Sequence, residues 1–181
     1  MIQPWKTLSR KLLFKTNIFQ AWQVNRETED KKLQGEFYTL DTLDWVNIIA
    51  ITPEEQIVLI NQFRHGTNEV SLEIPGGIVD EGESPDKTAS RELLEETGYT
   101  GDKPILIGTM EPNPAIQTNL CYTYLIQSAK HNQRQDLEPL EEIEVQEKPL
   151  NQIPALLTGG AMKHALVVAA FKYLELWERN I

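Results

Sequence analysis

The chain has few residues of the kinds that mark secreted, membrane-spanning or nucleic-acid-binding proteins. Its single cysteine, Cys121, excludes an intrachain disulfide and favours a reducing compartment. The longest apolar run, residues 165–171, is too short to span a bilayer, and the N-terminus lacks the apolar core of a signal peptide. We therefore predict a cytoplasmic protein that does not contact membranes.

Basic residues are also scarce, since 17 Lys and Arg face 27 Asp and Glu, a formal net charge of −10 at pH 7. This balance argues against nucleic acid as a partner. A small anionic substrate stays compatible, because bound divalent cations invert the local potential. His65, His131 and His164 show no spacing that indicates a metal site or a catalytic base, and we interpret them as surface or hydrogen-bonded residues.

The order of the apolar patterns predicts strands first, then a central helix, then more strands and two C-terminal helices. The predicted strands are residues 18–24, 36–40, 45–51, 57–63, 72–74, 105–110, 120–127 and 143–147, and the two last helices are 151–157 and 162–178. This order indicates an α/β fold, a mixed sheet with helices on both faces. We divide it into an N-terminal antiparallel strand region, residues 1–43, and a catalytic domain, residues 44–181.

The central helix carries the most informative pattern, GIVDEGESPDKTASRELLEETGY at residues 77–99. Ser84 and Pro85 suit the N-cap and the first helical position, and Gly98 suits the left-handed residue that ends a helix.

Three glutamates of this helix, Glu92, Glu95 and Glu96, stand at i, i+3 and i+4 and therefore share one face. Like charges at these offsets destabilise a bare helix, and a cation between them reverses the sign of that effect. The pattern predicts a metal site.

The same stretch resembles the Nudix box. The residues at the defined positions are Gly77, Glu83, Arg91, Glu92, Leu93, Glu95, Glu96, Gly98 and Tyr99, with no departure. The resemblance implies an α/β/α sandwich with a mixed sheet, in which the box forms a loop, a helix and a loop. It also implies a hydrolase that splits a pyrophosphate bond with the help of a divalent cation, Mg²⁺ or alternatively Mn²⁺.

The resemblance further implies roles for the box residues. Glu92 and Glu96 would be the main metal ligands, with Glu95 beside them and the Gly76 carbonyl as an additional ligand. Mg²⁺ needs only a few protein oxygens, because it keeps several waters in its octahedral shell.

Arg91 and Glu83 would orient the metal-binding helix, while Gly77 and Gly98 would have structural roles in the box. The alternative for Arg91 is an ordinary i,i+4 pair with Glu95 on a solvated helix.

A second acidic stretch, residues 136–147, has six acids and no base. Such a stretch is usually a solvated loop followed by an exposed strand edge. The chain is also similar to the ADP-ribose-hydrolysing branch of the family, in which a late loop carries a glutamate that activates water. Glu142 matches that position best, with Glu141 and Glu138 as alternatives.

Other segments extend the similarity to the ADP-ribose and ADP-sugar pyrophosphatases, namely INQFRHG at residues 60–66, LEIPGG at 72–77 and a proline-containing loop after the box. They imply substrate-binding roles for Arg64, Glu111 and Pro112 or Pro114. An adenine ring would need an aromatic partner. The candidates for that partner are Trp22, Phe37, Tyr38 and Trp45.

The predicted function is therefore Mg²⁺-dependent hydrolysis of ADP-ribose, or a related ADP-sugar, to AMP and a sugar phosphate. The alternatives are a pyrophosphatase for another nucleoside diphosphate derivative, such as GDP-mannose or NADH, and a non-catalytic module that senses ADP-ribose. In similar enzymes the N-terminal strands pair with a second subunit, which implies a homodimer.

Overall fold

A computed structural model of the protein describes residues 2–180 and divides them into two compact units. The first unit contains residues 2–44 together with Glu111–Leu120, and the second contains Trp45–Met110 together with residues 121–180. The division into domains at residues 1–43 and 44–181 stays a prediction, and its two end residues, 1 and 181, lie outside the described residues.

The first unit is built on three antiparallel strands, β1 (Trp5–Lys15), β2 (Phe19–Thr28) and β3 (Gln34–Thr42), in the order β1–β2–β3. All eleven residues of β1 are exposed. The segment Glu111–Leu120 joins this unit through the backbone, since the Leu40 N–H donates a hydrogen bond to the Ile116 carbonyl at 2.7 Å.

The second unit contains the remaining strands and the three α-helices found within residues 2–180. Its elements are β4 (Trp45–Ala50), β5 (Gln56–Arg64), β6 (Glu69–Glu73), α1 (Pro85–Thr97), β7 (Tyr99–Thr100), β8 (Ile105–Met110), β9 (Cys121–Ile126), β10 (Lys130–His131), β11 (Ile143–Pro149), α2 (Ile153–Thr158) and α3 (Ala165–Glu178). Strand β5 pairs antiparallel with β11 and β6. Strand β9 pairs parallel with β4 and antiparallel with β8, so the sheet structure is mixed, as predicted.

Alternate residues of the central strands face opposite helices. Ile48 of β4 packs in a cluster with Leu93 of α1. Its neighbour Ile49 belongs to a second cluster with Val167 and Ala170 of α3. Because successive side chains of a strand point to opposite faces, the strands are covered on both sides, which explains their continuously apolar sequence. The predicted α/β class, with helices on both faces, is confirmed.

Helix α3 begins at Ala165, three residues later than predicted, because Gly160 takes the left-handed conformation (φ 74°) after α2. His164 is extended (φ −64°, ψ 118°), and its carbonyl accepts the first helical hydrogen bond, from Val168, at 3.0 Å. Within residues 2–180, none of the helices has the length and apolar character needed to cross a membrane.

Candidate active site

The ends of α1 are fixed by the residues that the sequence indicates. Ser84 is extended (φ −91°, ψ 144°), and Pro85 opens the first turn, although the Ser84 hydroxyl makes no capping hydrogen bond. Gly98 is left-handed (φ 75°) and its N–H donates to the Leu94 carbonyl at 2.8 Å. A Cβ at Gly98 would lie 2.0 Å from the Gln133 carbonyl oxygen, so both conformation and space require glycine.

The turn before α1 brings backbone close to a box carboxylate. The carbonyls of Pro75 and Gly77 accept hydrogen bonds from N–H groups of β4, both at 2.9 Å. Between them, the Gly76 carbonyl accepts no backbone hydrogen bond among the described residues. A Cβ at Gly77 would lie 2.3 Å from the carboxyl carbon of Glu92. Glycine therefore allows this carboxylate to lie against the turn.

Glu96 and Glu92 are the two box carboxylates whose pKa burial raises. Glu96 is only 3% exposed, and its Oε2 accepts a hydrogen bond from the Gly76 N–H at 2.9 Å. Burial raises the pKa of Glu96 to about 8. Burial also raises the pKa of Glu92 to about 7, against the opposing charge of Arg91. Nearby negative charges, including that of Glu141, add to both shifts.

Arg91 joins three carboxylates of the box. It donates hydrogen bonds to Glu83 at 3.0 Å, to Glu92 at 3.0 Å and to Glu95 at 2.8 Å. Glu83 also accepts a hydrogen bond from the Thr88 hydroxyl at 2.7 Å. The hydrogen bonds to Glu83 raise the pKa of Arg91, and Arg91 in turn lowers the pKa of Glu83. The geometry contains both the orienting contact with Glu83 and the i,i+4 pair with Glu95.

The donors at this site suit a hard divalent cation. Within residues 2–180, no group of three or more Asp, Glu, His or Cys side chains is placed to hold a metal ion. Arg91 bonds to Glu92 and Glu95, and one oxygen of Glu96 is bonded to the turn. Yet the buried Glu96 carboxylate, the half-buried Glu92 carboxylate and the Gly76 carbonyl form an all-oxygen donor set, and Mg²⁺ needs little more from a protein. A cation there would also relieve the repulsion between Glu92 and Glu96.

The acidic loop before β11 is attached to the end of α1. The Gln135 side-chain amide donates to the Glu96 carbonyl at 2.6 Å, and the Asp136 N–H donates to the Glu95 carbonyl at 2.9 Å. These carbonyls belong to the last turn of a helix, where no helical partner exists. The loop thus replaces the missing partners and is held beside the box.

The three candidates for the water-activating glutamate differ in their surroundings. Glu141 is half-buried, and its charge contributes to the raised pKa of both Glu92 and Glu96. Glu142 and Glu138 are exposed. The structure places Glu141 within electrostatic range of the box carboxylates, and the choice of general base stays a prediction.

Arg64 takes part in a cluster that the sequence did not reveal. Its Nε and Nη2 donate to the two carboxylate oxygens of Glu73 at 2.9 and 2.8 Å, and His164 Nδ1 lies 2.7 Å from Glu73 Oε2. Burial alone would raise the pKa of Glu73, but the hydrogen bonds of His164 and Arg64 lower it to about 2. The available signal was an acid between Leu72 and Ile74 in a short apolar strand.

The other predicted substrate residues lie in the first unit. Glu111, Pro112 and Pro114 belong to Glu111–Leu120, so their role in binding stays a prediction. Of the aromatic candidates in the same unit, Trp22 has the Arg10 guanidinium 4.3 Å from its ring centre, and Tyr38 is 57% exposed.

Comparisons with known proteins agree with this site. The NUDIX domain matches residues 43–171. The chain is 30% identical to the ADP-ribose pyrophosphatase of Bacillus subtilis (strain 168) over 178 residues, which cover 96% of each chain. It is 30% identical to the methanol dehydrogenase activator of Bacillus methanolicus over 134 residues, 74% of this chain and 72% of that protein.

A crystal structure of an ADP compounds hydrolase has the same fold. It superposes with a TM-score of 0.87 and covers 99% of this chain and 97% of its own, at 21% identity. The predicted Nudix-type fold is confirmed.

Proposed function

Because this chain belongs to the Nudix family and is a Nudix hydrolase, we propose that it hydrolyses the pyrophosphate bond of ADP-ribose or a related ADP-sugar, giving AMP and a sugar phosphate. One observation carries the choice of substrate. The similarity to an ADP-ribose pyrophosphatase extends over 96% of both chains, well beyond the NUDIX match at residues 43–171. The strands ahead of the family domain are therefore part of the similarity.

The box residues would hold Mg²⁺, with Mn²⁺ as the alternative. Glu92, Glu96 and the Gly76 carbonyl would be the ligands, with Glu95 beside them. When bound, the cation shields phosphate oxygens, stabilises the leaving phosphate and acidifies a coordinated water. Arg91 keeps the carboxylate of Glu92 oriented through its 3.0 Å hydrogen bond.

A carboxylate of the acidic loop would take the proton from the attacking water. Glu141 has the strongest support, because it is half-buried and its charge acts on both Glu92 and Glu96. Substituting Glu141, Glu142 and Glu138 by Gln, one at a time, tests this assignment. Loss of a general base lowers kcat by about 10²- to 10⁴-fold. We expect that loss for Glu141→Gln. If Glu142→Gln shows it instead, Glu142 is the general base, as the sequence predicted.

Arg64 would contact the substrate pyrophosphate, with Glu111 and Pro112 or Pro114 as further substrate-binding residues. Its side chain is 41% exposed and is held by Glu73. A guanidinium suits bidentate contact with phosphate oxygens.

We also propose a homodimer in the cytoplasm. The first unit exposes apolar side chains that a second subunit could cover. They include Leu8, Leu12, Phe14, Leu33 and Phe37, each more than 40% exposed. The one cysteine, Cys121, is buried and forms no disulfide, which fits a reducing compartment. Light scattering on the purified protein tests the dimer, and a monomeric mass at micromolar concentration would contradict it.

The decisive experiment is hydrolysis of ADP-ribose, GDP-mannose, NADH and ATP in parallel with Mg²⁺, with the products separated by chromatography. We expect AMP and ribose 5-phosphate from ADP-ribose, and a loss of about 10³-fold or more in Glu96→Gln, since several kcal/mol of transition-state stabilisation disappear. Glu175→Gln on the surface of α3 is the matched control. Turnover of another substrate alone would reject the ADP-sugar assignment, and binding of ADP-ribose without turnover would indicate a sensor.

A further inference from the structure

We propose that Glu73, assisted by His164, is a positioning residue that fixes the Arg64 guanidinium for contact with the substrate pyrophosphate. The inference rests on the proposed function, in which Arg64 binds the phosphates. It assigns a role to a buried carboxylate and a histidine that the box chemistry does not use.

The geometry leaves part of Arg64 available for a ligand. Glu73 occupies Nε and one terminal nitrogen of Arg64 through two parallel hydrogen bonds of 2.9 and 2.8 Å. The other terminal nitrogen makes no hydrogen bond to any of residues 2–180, and the side chain is 41% exposed. Both edges of a guanidinium can donate, so one edge is fixed by protein while another remains for an anion. A free arginine would have to give up rotamer entropy on binding, and this one has already done so.

The cluster is connected to the metal-binding carboxylates by a short backbone path. Arg64 ends β5 and Glu73 ends β6 of the same antiparallel hairpin. Three residues after Glu73, the Gly76 N–H donates to Glu96 at 2.9 Å. The pKa of Arg64 is raised chiefly by its hydrogen bonds to Glu73, and the charges of Glu96 and Glu141 add to that shift. Arg64 is thus held at a defined place within electrostatic range of the box.

A cavity of about 630 Å³ gives a ligand access to the cluster. Arg64, Glu73 and His164 line it together with Thr67, Ser71 and Lys163. Its volume lies within the range usual for small-molecule sites. Its lining also contains Glu69, which lies 3.6 Å from Lys163, and its hydroxyl and basic side chains suit a hydroxylated anionic molecule.

The competing explanation is an ion pair that only stabilises the fold. The two explanations differ in what happens when Arg64 is already absent. A positioning residue acts through Arg64, so its loss has no further effect on substrate binding once Arg64 is gone. A residue with a structural role has the same effect in either background.

The test is a double-mutant cycle on KM and kcat for ADP-ribose with Arg64→Ala, Glu73→Gln and the double variant. We expect Arg64→Ala to raise KM by about 10- to 100-fold, the value of a charged hydrogen bond to phosphate. We expect Glu73→Gln to raise KM by about 10-fold with little change in kcat, and the double variant to match Arg64→Ala. Glu147→Gln, which removes a carboxylate partner of Tyr99 in the same unit, should leave KM unchanged.

Additive effects in the cycle, or a Glu73→Gln variant with a lower melting temperature and an unchanged KM, would overturn the proposal. If Glu73→Gln does not fold, Arg64→Lys decides, because lysine keeps the charge but cannot form the fork. An unchanged KM in Arg64→Lys then rejects it, and a raised KM supports it.

The proposed function can fail separately. Wild-type protein that is inactive on ADP-ribose but active on another of the four substrates rejects the substrate, and the cycle is then measured on that substrate. If none is turned over, the calorimetric affinity of the same variants for ADP-ribose replaces KM. In each case the coupling between Arg64 and Glu73 decides the proposal.

Discussion

Two buried glutamates of this protein, Glu73 and Glu96, have nearly equal exposure and opposite acidity. Glu73 is 2% exposed and Glu96 is 3% exposed. The pKa of Glu73 is lowered to about 2, whereas that of Glu96 is raised to about 8. Burial acts in the same direction on both, so the difference comes from their partners. Glu73 has Arg64 and His164, while Glu96 has one backbone N–H and a negative neighbour.

The difference distinguishes a carboxylate that forms ion pairs with basic residues of the protein from one that does not. At Glu73 the chain supplies its own positive charge, so the carboxylate is stable as an anion at neutral pH. At Glu96, burial and the charges of Glu92 and Glu141 outweigh the attraction of Arg64, and no basic side chain within residues 2–180 forms an ion pair with it. A buried, uncompensated charge costs free energy unless something external neutralises it. A divalent cation would do so, which gives a physical reason to expect metal binding at the box helix.

The largest loss of stability should come from Glu73→Gln. Gln keeps the size of the side chain but removes the anion that Arg64 and His164 contact, and breaking a buried ion pair typically costs about 3–5 kcal/mol. We expect the free energy of unfolding at pH 7 to fall by about 3 kcal/mol, measured by urea titration. The exposed variant Glu175→Gln should change it by less than about 0.5 kcal/mol. An effect as small as that of the control would mean that the ion pair contributes no net stability.

Glu96→Gln should instead increase the free energy of unfolding. The folded protein keeps Glu96 protonated up to pH of about 8, while the unfolded chain releases that proton near its ordinary value of 4.5. Stability of the metal-free protein therefore falls as pH rises between these values. Gln never ionises, so Glu96→Gln in EDTA at pH 8 should be more stable than wild type by about 2–4 kcal/mol. A destabilised variant at that pH would show that the Glu96 charge is compensated after all.

The sequence predicted the parts of this comparison that depend on local signals. The ends of α1 follow from Pro85 and Gly98, and the shared face of its glutamates follows from helical spacing. Each of these features is decided within a few residues. The central strands were also recognisable, because strands buried on both faces are apolar throughout.

The parts that the sequence did not reveal depend on contacts between distant residues. Arg64 and Glu73 meet across a hairpin, and His164 reaches Glu73 from 91 positions along the chain. Gln135 reaches the end of α1 across 39 positions. No periodic pattern encodes such meetings, because loop geometry decides them. Strand β1 is exposed along its whole length, so its sequence needs no alternation of apolar and polar residues that would mark its ends.

Mg²⁺ should stabilise wild type and not the Glu96→Gln variant. A ligand that binds only the folded state adds about 2.7 kcal/mol at 100 times its Kd. We expect the melting temperature of wild type to rise with Mg²⁺ concentration at pH 8, and that of Glu96→Gln to stay flat. Ca²⁺ and Mn²⁺ in the same titration would rank the ions. An equal rise in both proteins would place the stabilising cation elsewhere.

The smallest effect, and the one that isolates Glu73, is the dependence of stability on acidic pH. Its folded pKa of about 2 lies below the ordinary value of 4.5, so its contribution is complete above pH 4.5 and is lost as pH falls toward 2. Other carboxylates titrate in the same range, so the useful quantity is the difference in unfolding free energy between wild type and Glu73→Gln. That difference should shrink by about 1 kcal/mol between pH 4.5 and 3.5. A constant difference over this interval would mean that Arg64 and His164 do not hold Glu73 as an anion, and the contrast with Glu96 would then rest on the box helix alone.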